Sequence, residues 1–261
     1  MCVQALAANG AKVYIVGRTE EKLENVVKTY GQDISGQIIP ITADITSKDD
    51  VARLAKEIES KEKCLCILIN NAGVATSSQA PKGETGPDFK ENLFKPESAN
   101  YDDWAVTYKT NVTQLYMTTT AFLPLIEKAT EHNPGYSGTV LNITSISGSV
   151  AKSQGHFSYN ASKAAADHLT KLLAAEIANH DIKVRVNAIA PGVFPSEMTA
   201  GSSGDDQKSE IPKDKYGHLP ARRPGRDQDM ANAVLFAVTN QYLNGQVVAV
   251  DGGYTLKFGT L

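Results

Sequence analysis

The sequence predicts a doubly wound, Rossmann-type α/β domain with a parallel sheet, and three observations lead to this fold class. Short runs of β-branched residues alternate with longer amphipathic stretches along the chain. Repeated βα units of this kind form a parallel sheet with helices on both faces. The length of 261 residues suits one large α/β domain, and no internal repeat or long linker divides it. We therefore predict a single domain over residues 1–261.

The strands and helices of this domain are predicted from their hydrophobic periods. The predicted strands are 12–16, 37–42, 65–70, 139–144, 183–188 and 246–250, and the predicted helices are 20–30, 48–60, 101–128, 159–179 and 227–238. Two long segments, 77–100 and 191–223, depart from the alternation. We interpret the first as a surface insertion. The second follows the carboxyl end of a strand, and we predict that it is a substrate lid.

Composition and charge restrict the class of ligand. The chain is 41% hydrophobic and 21% charged, with a formal net charge of −3 and no basic cluster. This balance predicts neither nucleic acid nor an anionic membrane as a partner, and it favours a small molecule. No apolar run is long enough to span a bilayer, and no secretory signal opens the chain, so a cytoplasmic location is expected. The 3 cysteines indicate reduced thiols, and we predict no metal site.

Tyr159 and Lys163 lie four residues apart in Y-N-A-S-K, within a predicted helix. Side chains at this spacing share one helix face. A nearby cation favours the phenolate and lowers the pKa of a tyrosine, which makes proton transfer to or from an alcohol oxygen feasible near neutral pH. A solvated surface pair is the alternative interpretation, and the spacing alone does not exclude it.

Polar and turn-forming residues follow several of the predicted strands. Asn71 and Gly73 belong to N-N-A-G, after the strand at 65–70, and Ser145 and Ser147 follow the strand at 139–144. An open α/β sheet binds its ligand at the carboxyl ends of its strands. The turns predict a nucleotide contact and a hydroxyl donor to substrate at this edge, although N-N-x-G is also ordinary turn chemistry.

Asn111 stands in the middle of the long predicted helix at 101–128. Asparagine is unfavourable there, so it requires an explanation. One interpretation is an outward-facing amide. The other is a kink whose freed carbonyl orders a water molecule.

Taken together, the motifs resemble those of the short-chain dehydrogenase/reductase family. They are N-N-A-G, the Asn in K-T-N-V, a Ser before Y-x-A-S-K, P-G followed by a hydroxyl residue, and a terminal V-D-G-G, in that order. The resemblance extends from Ala5 to about Tyr254 and is closest to fungal relatives of 3-oxoacyl-carrier-protein reductases. It implies a hydride-transfer oxidoreductase that interconverts a carbonyl and a secondary alcohol, as a ketoreductase does.

The resemblance also implies the catalytic residues. Tyr159 would be the general acid/base, and Lys163 would lower its pKa and bind the nicotinamide ribose. Ser145 would polarise the substrate carbonyl, with Ser147 as the alternative because Ser145 is one residue further from the tyrosine than is usual. Asn111 would hold a water that connects Lys163 to solvent.

The cofactor-binding residues are implied in the same way. Asn71 and Gly73 would line the adenosine side of the dinucleotide site. Pro191, Gly192 and Ser196 would flank the nicotinamide. Lys163 would contribute to this site as well as to catalysis.

Charge indicates which dinucleotide is preferred. Arg18 follows the strand at 12–16, where a site for NAD offers a carboxylate to the ribose, and a guanidinium can instead grip a 2′-phosphate. We therefore expect NADP(H) to be preferred over NAD(H), with a solvated Arg18 as the alternative. Asp44 resembles the family's adenine-contacting aspartate, and a turn aspartate is the alternative.

The family's opening strand and its T-G-x-x-x-G-x-G turn have no counterpart in this chain. Residues 1–9 instead resemble the rest of the helix that follows this turn, and we expect the chain as given to be incomplete at its amino end. The strands at 12–16 and 65–70 would each lose a neighbour, at about 1–3 kcal/mol for each unpaired buried backbone group. Dinucleotide affinity would also suffer, because the turn's backbone N–H groups bind the pyrophosphate.

Two classes of function are therefore carried forward. The first is an NADP-dependent enzyme with a small carbonyl or alcohol substrate, assembled as a homodimer or homotetramer. The alternative is a catalytically silent family member or assembly subunit that does not bind dinucleotide. The V-D-G-G ending disfavours a third candidate, a sugar-nucleotide epimerase.

Overall fold

The computed structural model describes residues 1–204, 206–212, 216–217 and 219–260. The strands are β1 (Lys12–Gly17), β2 (Gln37–Thr42), β3 (Ile67–Asn70), β4 (Gly138–Ile143), β5 (Val184–Pro191) and β6 (Val247–Val250). The helices are α1 (Cys2–Ala8), α2 (Glu20–Tyr30), α3 (Lys48–Lys61), α4 (Gly86–Leu93), α5 (Tyr101–Tyr108), α6 (Gln114–His132), α7 (Phe157–Asn179), α8 (Glu197–Ala200), α9 (Asp227–Thr239) and α10 (Tyr254–Phe258).

The parallel strands form two sheets. A 4-stranded sheet has the order β3-β4-β5-β6, and a 2-stranded sheet contains β1 and β2. Every pairing is parallel, as predicted. Within the described residues no hydrogen-bonded pairing joins β1 to β3, which is the position where the sequence predicted a lost neighbour. The expectation of an upstream segment stays a prediction.

Helices cover both faces of the larger sheet, which confirms the doubly wound fold class. On one face, Leu54 of α3, Ile126 of α6 and Leu173 of α7 pack against Val186 of β5. On the other face, the packing side chains come from α1 and α9 and include Leu6 and Val234.

Side chains also bridge the two sheets where the backbones do not pair. Val13 of β1 and Ile67 of β3 belong to one apolar cluster with Leu6 of α1. Burial nevertheless differs along the sheet: every residue of β4 except Ile143 is buried, whereas β3 is buried only at Asn70. The central strands of a doubly wound sheet are normally covered on both faces. Strand β3 is therefore less well covered than the neighbouring strand β4.

Most predicted boundaries lie within a few residues of the observed ones, and three differences carry information. Strand β3 begins at Ile67 rather than 65, so strand alternation does not govern Cys64 and Cys66, which are only half-buried. The predicted helix 101–128 is divided by a π-helical turn, Lys109–Thr113. The insertion 77–100 contains α4, whose capping box joins Thr85 and Asp88. An S/T-x-x-D sequence is a helix-start signal that hydrophobic period alone does not detect.

The described part of the predicted lid contacts helix α2, which packs on the smaller sheet. Glu197 of α8 forms an ion pair with Lys22 of α2, with 2.8 Å between Nζ and Oε1. The Tyr30 hydroxyl donates to the carbonyl of Asp206. Residues 205, 213–215 and 218 of this segment lie outside the described residues. The lid role stays a prediction. In the part of the chain that the structure describes, no helix has both the length and the apolar character that a membrane span requires.

Candidate active site

The polar residues singled out from the sequence converge at the carboxyl edge of the larger sheet. Strand β4 ends at Ile143, and Ser145 follows as the cap of a 3-10 turn, Ile146–Gly148. Helix α7 passes close to this turn: a Cβ added to Gly148 would lie 2.6 Å from the backbone nitrogen of Ala164. Only glycine therefore allows the serine-bearing turn to approach α7 this closely.

Tyr159 and Lys163 share a face of α7 and point toward the end of β4. The Lys163 side chain is 4% exposed. Its Nζ donates to the carbonyl oxygen of Ile143 at 3.0 Å, and it lies 5.6 Å from the centroid of the Tyr159 ring. The interpretation of a solvated surface pair is therefore wrong, because Lys163 is buried and is held against the strand end.

The pKa values of the pair shift mainly through burial. Burial raises the pKa of Tyr159, and a hydrogen bond from Ser145 partly offsets the rise. Burial lowers the pKa of Lys163 to about 8, and the charge of Asp167 opposes this. The net shift of the Tyr159 pKa is upward because desolvation of the phenolate dominates, and a lowering contribution from Lys163 stays a prediction. A phenol with a raised pKa is protonated at neutral pH and can serve as an acid.

The structure distinguishes the two candidate serines. Ser145 hydrogen-bonds the Tyr159 phenol, and its Oγ also accepts from the Ser147 backbone N–H at 3.1 Å. Ser147 instead donates to Oε1 of Gln154 at 2.8 Å, and Gln154 in turn donates to the Tyr254 hydroxyl at 2.9 Å. Ser145 is thus the serine beside the tyrosine, while Ser147 ties the turn to α10.

Asn111 lies in the π-helical turn and is 1% exposed, so the interpretation of an outward-facing amide is wrong. Its Oδ1 accepts from the Val74 N–H at 2.8 Å, and its Nδ2 donates to the Val74 carbonyl and to the Ser162 hydroxyl, each at 2.9 Å. A π-turn displaces the helix backbone, which is the predicted kink. Asn111 therefore joins the N-N-A-G loop to α7, and the ordered water stays a prediction.

The residues expected around the nicotinamide lie at the same edge. A Cβ on Gly73 would be 3.3 Å from both Asn111 Oδ1 and Lys163 Nζ. Gly73 therefore lies beside Lys163, whereas it was expected on the adenosine side with Asn71. Pro191 ends β5, and the next N–H, that of Gly192, donates to the Val250 carbonyl at 2.9 Å. Ser196 is exposed and caps α8, where its hydroxyl accepts from the Thr199 N–H at 3.3 Å.

The residues expected around the adenosine lie toward the smaller sheet. Asn71 is exposed after β3, and Arg18 is exposed after β1. Asp44 forms a turn in which its Oδ1 accepts from the backbone N–H and the hydroxyl of Thr46, at 2.9 and 2.8 Å. These bonds, together with the nearby charges of Arg18 and Lys109, lower the pKa of Asp44 despite partial burial. The turn interpretation of Asp44 is confirmed, and an adenine contact stays a prediction.

These residues fit a dinucleotide at one end only. At the expected nicotinamide end, the backbone of Gly73 lies against a buried lysine, and a phenol and a hydroxyl lie in the same region. At the pyrophosphate end, such a group requires backbone N–H donors at a glycine-rich turn that opens a helix. The sequence contains no T-G-x-x-x-G-x-G run that would supply them.

A row of hydrogen-bonded, buried polar side chains, which was not predicted from the sequence, links the ends of β3 and β4 below the site. Asn70 of β3 pairs with Asn142 of β4, with 2.9 Å from Nδ2 to Oδ1. Thr118 donates to Asn70 from one side at 2.6 Å, and Asn142 donates to Thr170 on the other at 2.9 Å. Asparagine is depleted in strands. The two asparagines inside predicted strands could therefore have indicated this polar row.

Comparison with known proteins places this chain among relatives of similar length. Residues 1–255 match a family model described as enoyl-(acyl carrier protein) reductase. A short-chain dehydrogenase/reductase of Diaporthe leptostromiformis, PhomF′, is 33% identical over 258 residues, which cover 97% of this chain and 86% of that protein. A 3-oxoacyl-[acyl-carrier-protein] reductase of rhamnolipid biosynthesis from Pseudomonas aeruginosa is 31% identical over 259 residues, covering 98% and 91%.

Solved structures show the same fold. The Pseudomonas aeruginosa protein RhlG, in an active-site complex with NADP, superposes with a TM-score of 0.76 at 27% identity, covering 97% of this chain and 90% of that one. A 7α-hydroxysteroid dehydrogenase, complexed with NADH and 7-oxo glycochenodeoxycholic acid, superposes with a TM-score of 0.76 at 28% identity, covering 96% and 88%.

Proposed function

The chain belongs to the short-chain dehydrogenase/reductase family, and from this premise we propose that it is an NADP(H)-dependent oxidoreductase that interconverts a ketone and a secondary alcohol. Tyr159 is the general acid/base of the proposed reaction. The observation that carries the proposal is the convergence of Tyr159, Lys163 and Ser145 beside Gly73 at the carboxyl edge of the sheet. Solved relatives bound to NADP and NADH support a nicotinamide dinucleotide as the cofactor.

In this reaction a reduced nicotinamide supplies hydride to the carbonyl carbon. The Tyr159 phenol donates its proton to the carbonyl oxygen as negative charge develops there. Ser145 lies beside this phenol, and its hydroxyl can donate to the same carbonyl oxygen. Lys163 places a positive charge beside the phenol and stabilises the phenolate that remains.

The experiment that tests this function measures oxidation of NADPH by a small 3-oxoester, followed by absorbance of the reduced nicotinamide. The 261-residue protein is assayed beside an extended protein that carries a strand and a T-G-x-x-x-G-x-G turn at its amino end. We expect the extended protein to form the secondary alcohol. If a range of ketones gives no alcohol product with an extended protein that binds NADPH, the proposed function is wrong.

The preference for NADP(H) depends on Arg18. Arg18 is exposed after the carboxyl end of β1, and a guanidinium can bind a ribose 2′-phosphate. In the extended protein, Arg18→Ala is expected to weaken NADPH binding by about 1.5–3 kcal/mol and to leave NADH binding almost unchanged. Titration of protein fluorescence measures both affinities. The control is Lys28→Ala, which removes another exposed cation, on α2. Equal losses for the two cofactors would show that Arg18 does not contact the 2′-phosphate.

We also propose a homodimer or homotetramer built on α5, α6 and α7. These helices expose Trp104, Tyr116 and Leu172, which are 41%, 47% and 47% accessible. Apolar side chains exposed on neighbouring helices are typical of a symmetric interface. Light scattering is expected to give at least a dimer at micromolar concentration, and Trp104→Glu should shift the protein toward monomer. Tyr242→Glu, at an aromatic side chain exposed elsewhere, is the control and should leave the assembly unchanged.

The alternative function is a silent subunit that does not bind dinucleotide. The missing glycine-rich turn and the unpaired facing edges of β1 and β3 among the described residues favour it for the 261-residue protein. The affinity for NADPH discriminates between the two functions, because a silent subunit does not need to bind a cofactor.

A further inference from the structure

A third residue of α7 lies on the same stripe as the proposed catalytic pair. Asp167 follows Lys163 by four residues, as Lys163 follows Tyr159, so the three side chains share one face of the helix. Residues 143–145, at the end of β4 and just after it, lie beside all three side chains. Ser145 contacts Tyr159, the Ile143 carbonyl accepts from Lys163, and the carboxyl group of Asp167 lies beside the Thr144 hydroxyl.

Lys163, the first charged member of this stripe, is buried, and Asp167, the second, is partly buried. Lys163 is 4% exposed, and its hydrogen bond is to a neutral carbonyl. Asp167 Oδ1 is buried and has no hydrogen-bond partner in the described chain. An unpaired buried cation is costly, and so is an unpaired buried carboxylate, but each reduces the cost of the other. Asp167 is therefore placed to act on the catalytic group without touching a substrate.

We propose that Asp167 is a positioning residue that keeps Lys163 charged and holds it against the end of β4. This role rests on the proposed function, in which the charge of Lys163 stabilises the phenolate of Tyr159. Loss of the carboxylate leaves the buried ammonium with a neutral acceptor only, so the neutral amine becomes the favoured form.

The charge of Asp167 acts on Lys163 in the direction that the proposal requires. Burial lowers the pKa of Lys163, and the charge of Asp167 opposes this lowering. Burial raises the pKa of Asp167 to about 6. Thr144, Lys163 and Lys171 oppose that rise. The facing segment 143–148 contains no charged side chain. In the π-helical turn, Lys109 is exposed and acts on Asp44. Lys171, on α7 itself, is the remaining charge that acts on Asp167.

The test measures the titration of Lys163 directly, in the 261-residue protein and without cofactor. Lysines are labelled with ¹³C at Cε, and the Lys163 signal is identified by its loss in Lys163→Met. In the unsubstituted protein this signal is expected to titrate near the pKa of about 8 that burial produces. Asp167→Asn should lower that midpoint by about one unit, because an opposing charge has been removed.

Two further variants make the outcome decisive. Glu176→Gln removes an exposed carboxylate from the same helix and should leave the midpoint unchanged. Asp167→Ala is measured beside Asp167→Asn, so that failure of one variant to fold does not remove the test. An unchanged midpoint in a folded Asp167 variant overturns the proposal. Because the titration requires neither turnover nor bound dinucleotide, its result is separate from that of the ketone assay.

Discussion

Replacing Tyr159 by phenylalanine is expected to reduce ketone reduction by about 10²–10⁴-fold, the usual worth of a positioned acid. Phenylalanine keeps the ring that packs near Lys163 and removes only the hydroxyl, which is hydrogen-bonded by Ser145. Binding of NADPH should therefore remain nearly unchanged. The measurement is the rate at saturating NADPH and substrate in the extended protein, together with the dissociation constant for NADPH.

The control for this variant is Tyr101→Phe, which removes a hydroxyl from a tyrosine that is 95% exposed. It should keep the full rate. A Tyr159→Phe protein that retains more than a few per cent of the rate would contradict the assignment of the acid. A loss of NADPH affinity equal to the loss of rate would instead show that the hydroxyl serves binding rather than proton transfer.

The strands and the catalytic pair could be predicted because local sequence determines them. The buried runs of β4 and β5 are rich in apolar residues, as is typical of parallel strands covered on both faces. The four-residue spacing of Tyr159 and Lys163 gives a shared helix face wherever the helix lies. Their burial could not be predicted from the spacing alone, since it depends on the packing of α7 against a turn that only Gly148 permits.

The net upward shift of the Tyr159 pKa was not predicted, for a related reason. A cation at i+4 was expected to lower it, but desolvation acts on the phenolate through every neighbouring atom, and most of these neighbours come from distant parts of the sequence. A role for Asp167 was not predicted, because an acidic residue on an amphipathic helix is usually solvated. Its role depends on Thr144, which lies 23 positions away on another element.

The second large expected effect concerns cofactor binding by the 261-residue protein itself. It follows from the division of the strands into two sheets. Beside the nicotinamide, buried and hydrogen-bonded side chains are in place. At the pyrophosphate, the chain has no glycine-rich turn, and in the described residues β1 and β3 do not pair. A dinucleotide derives much of its affinity from backbone N–H groups and a helix N-terminus that meet the phosphate charge.

We therefore expect no saturable binding of NADPH to the 261-residue protein below millimolar concentration, as measured by isothermal titration. The extended protein, titrated in parallel, should bind in the micromolar range, about 1000-fold tighter, which corresponds to about 4 kcal/mol. It should also unfold at a higher temperature, since a paired edge no longer exposes unpaired backbone groups and half-buried side chains such as Val16. Micromolar binding by the 261-residue protein would mean that other groups meet the phosphate charge, and the silent-subunit function would then lose its main support.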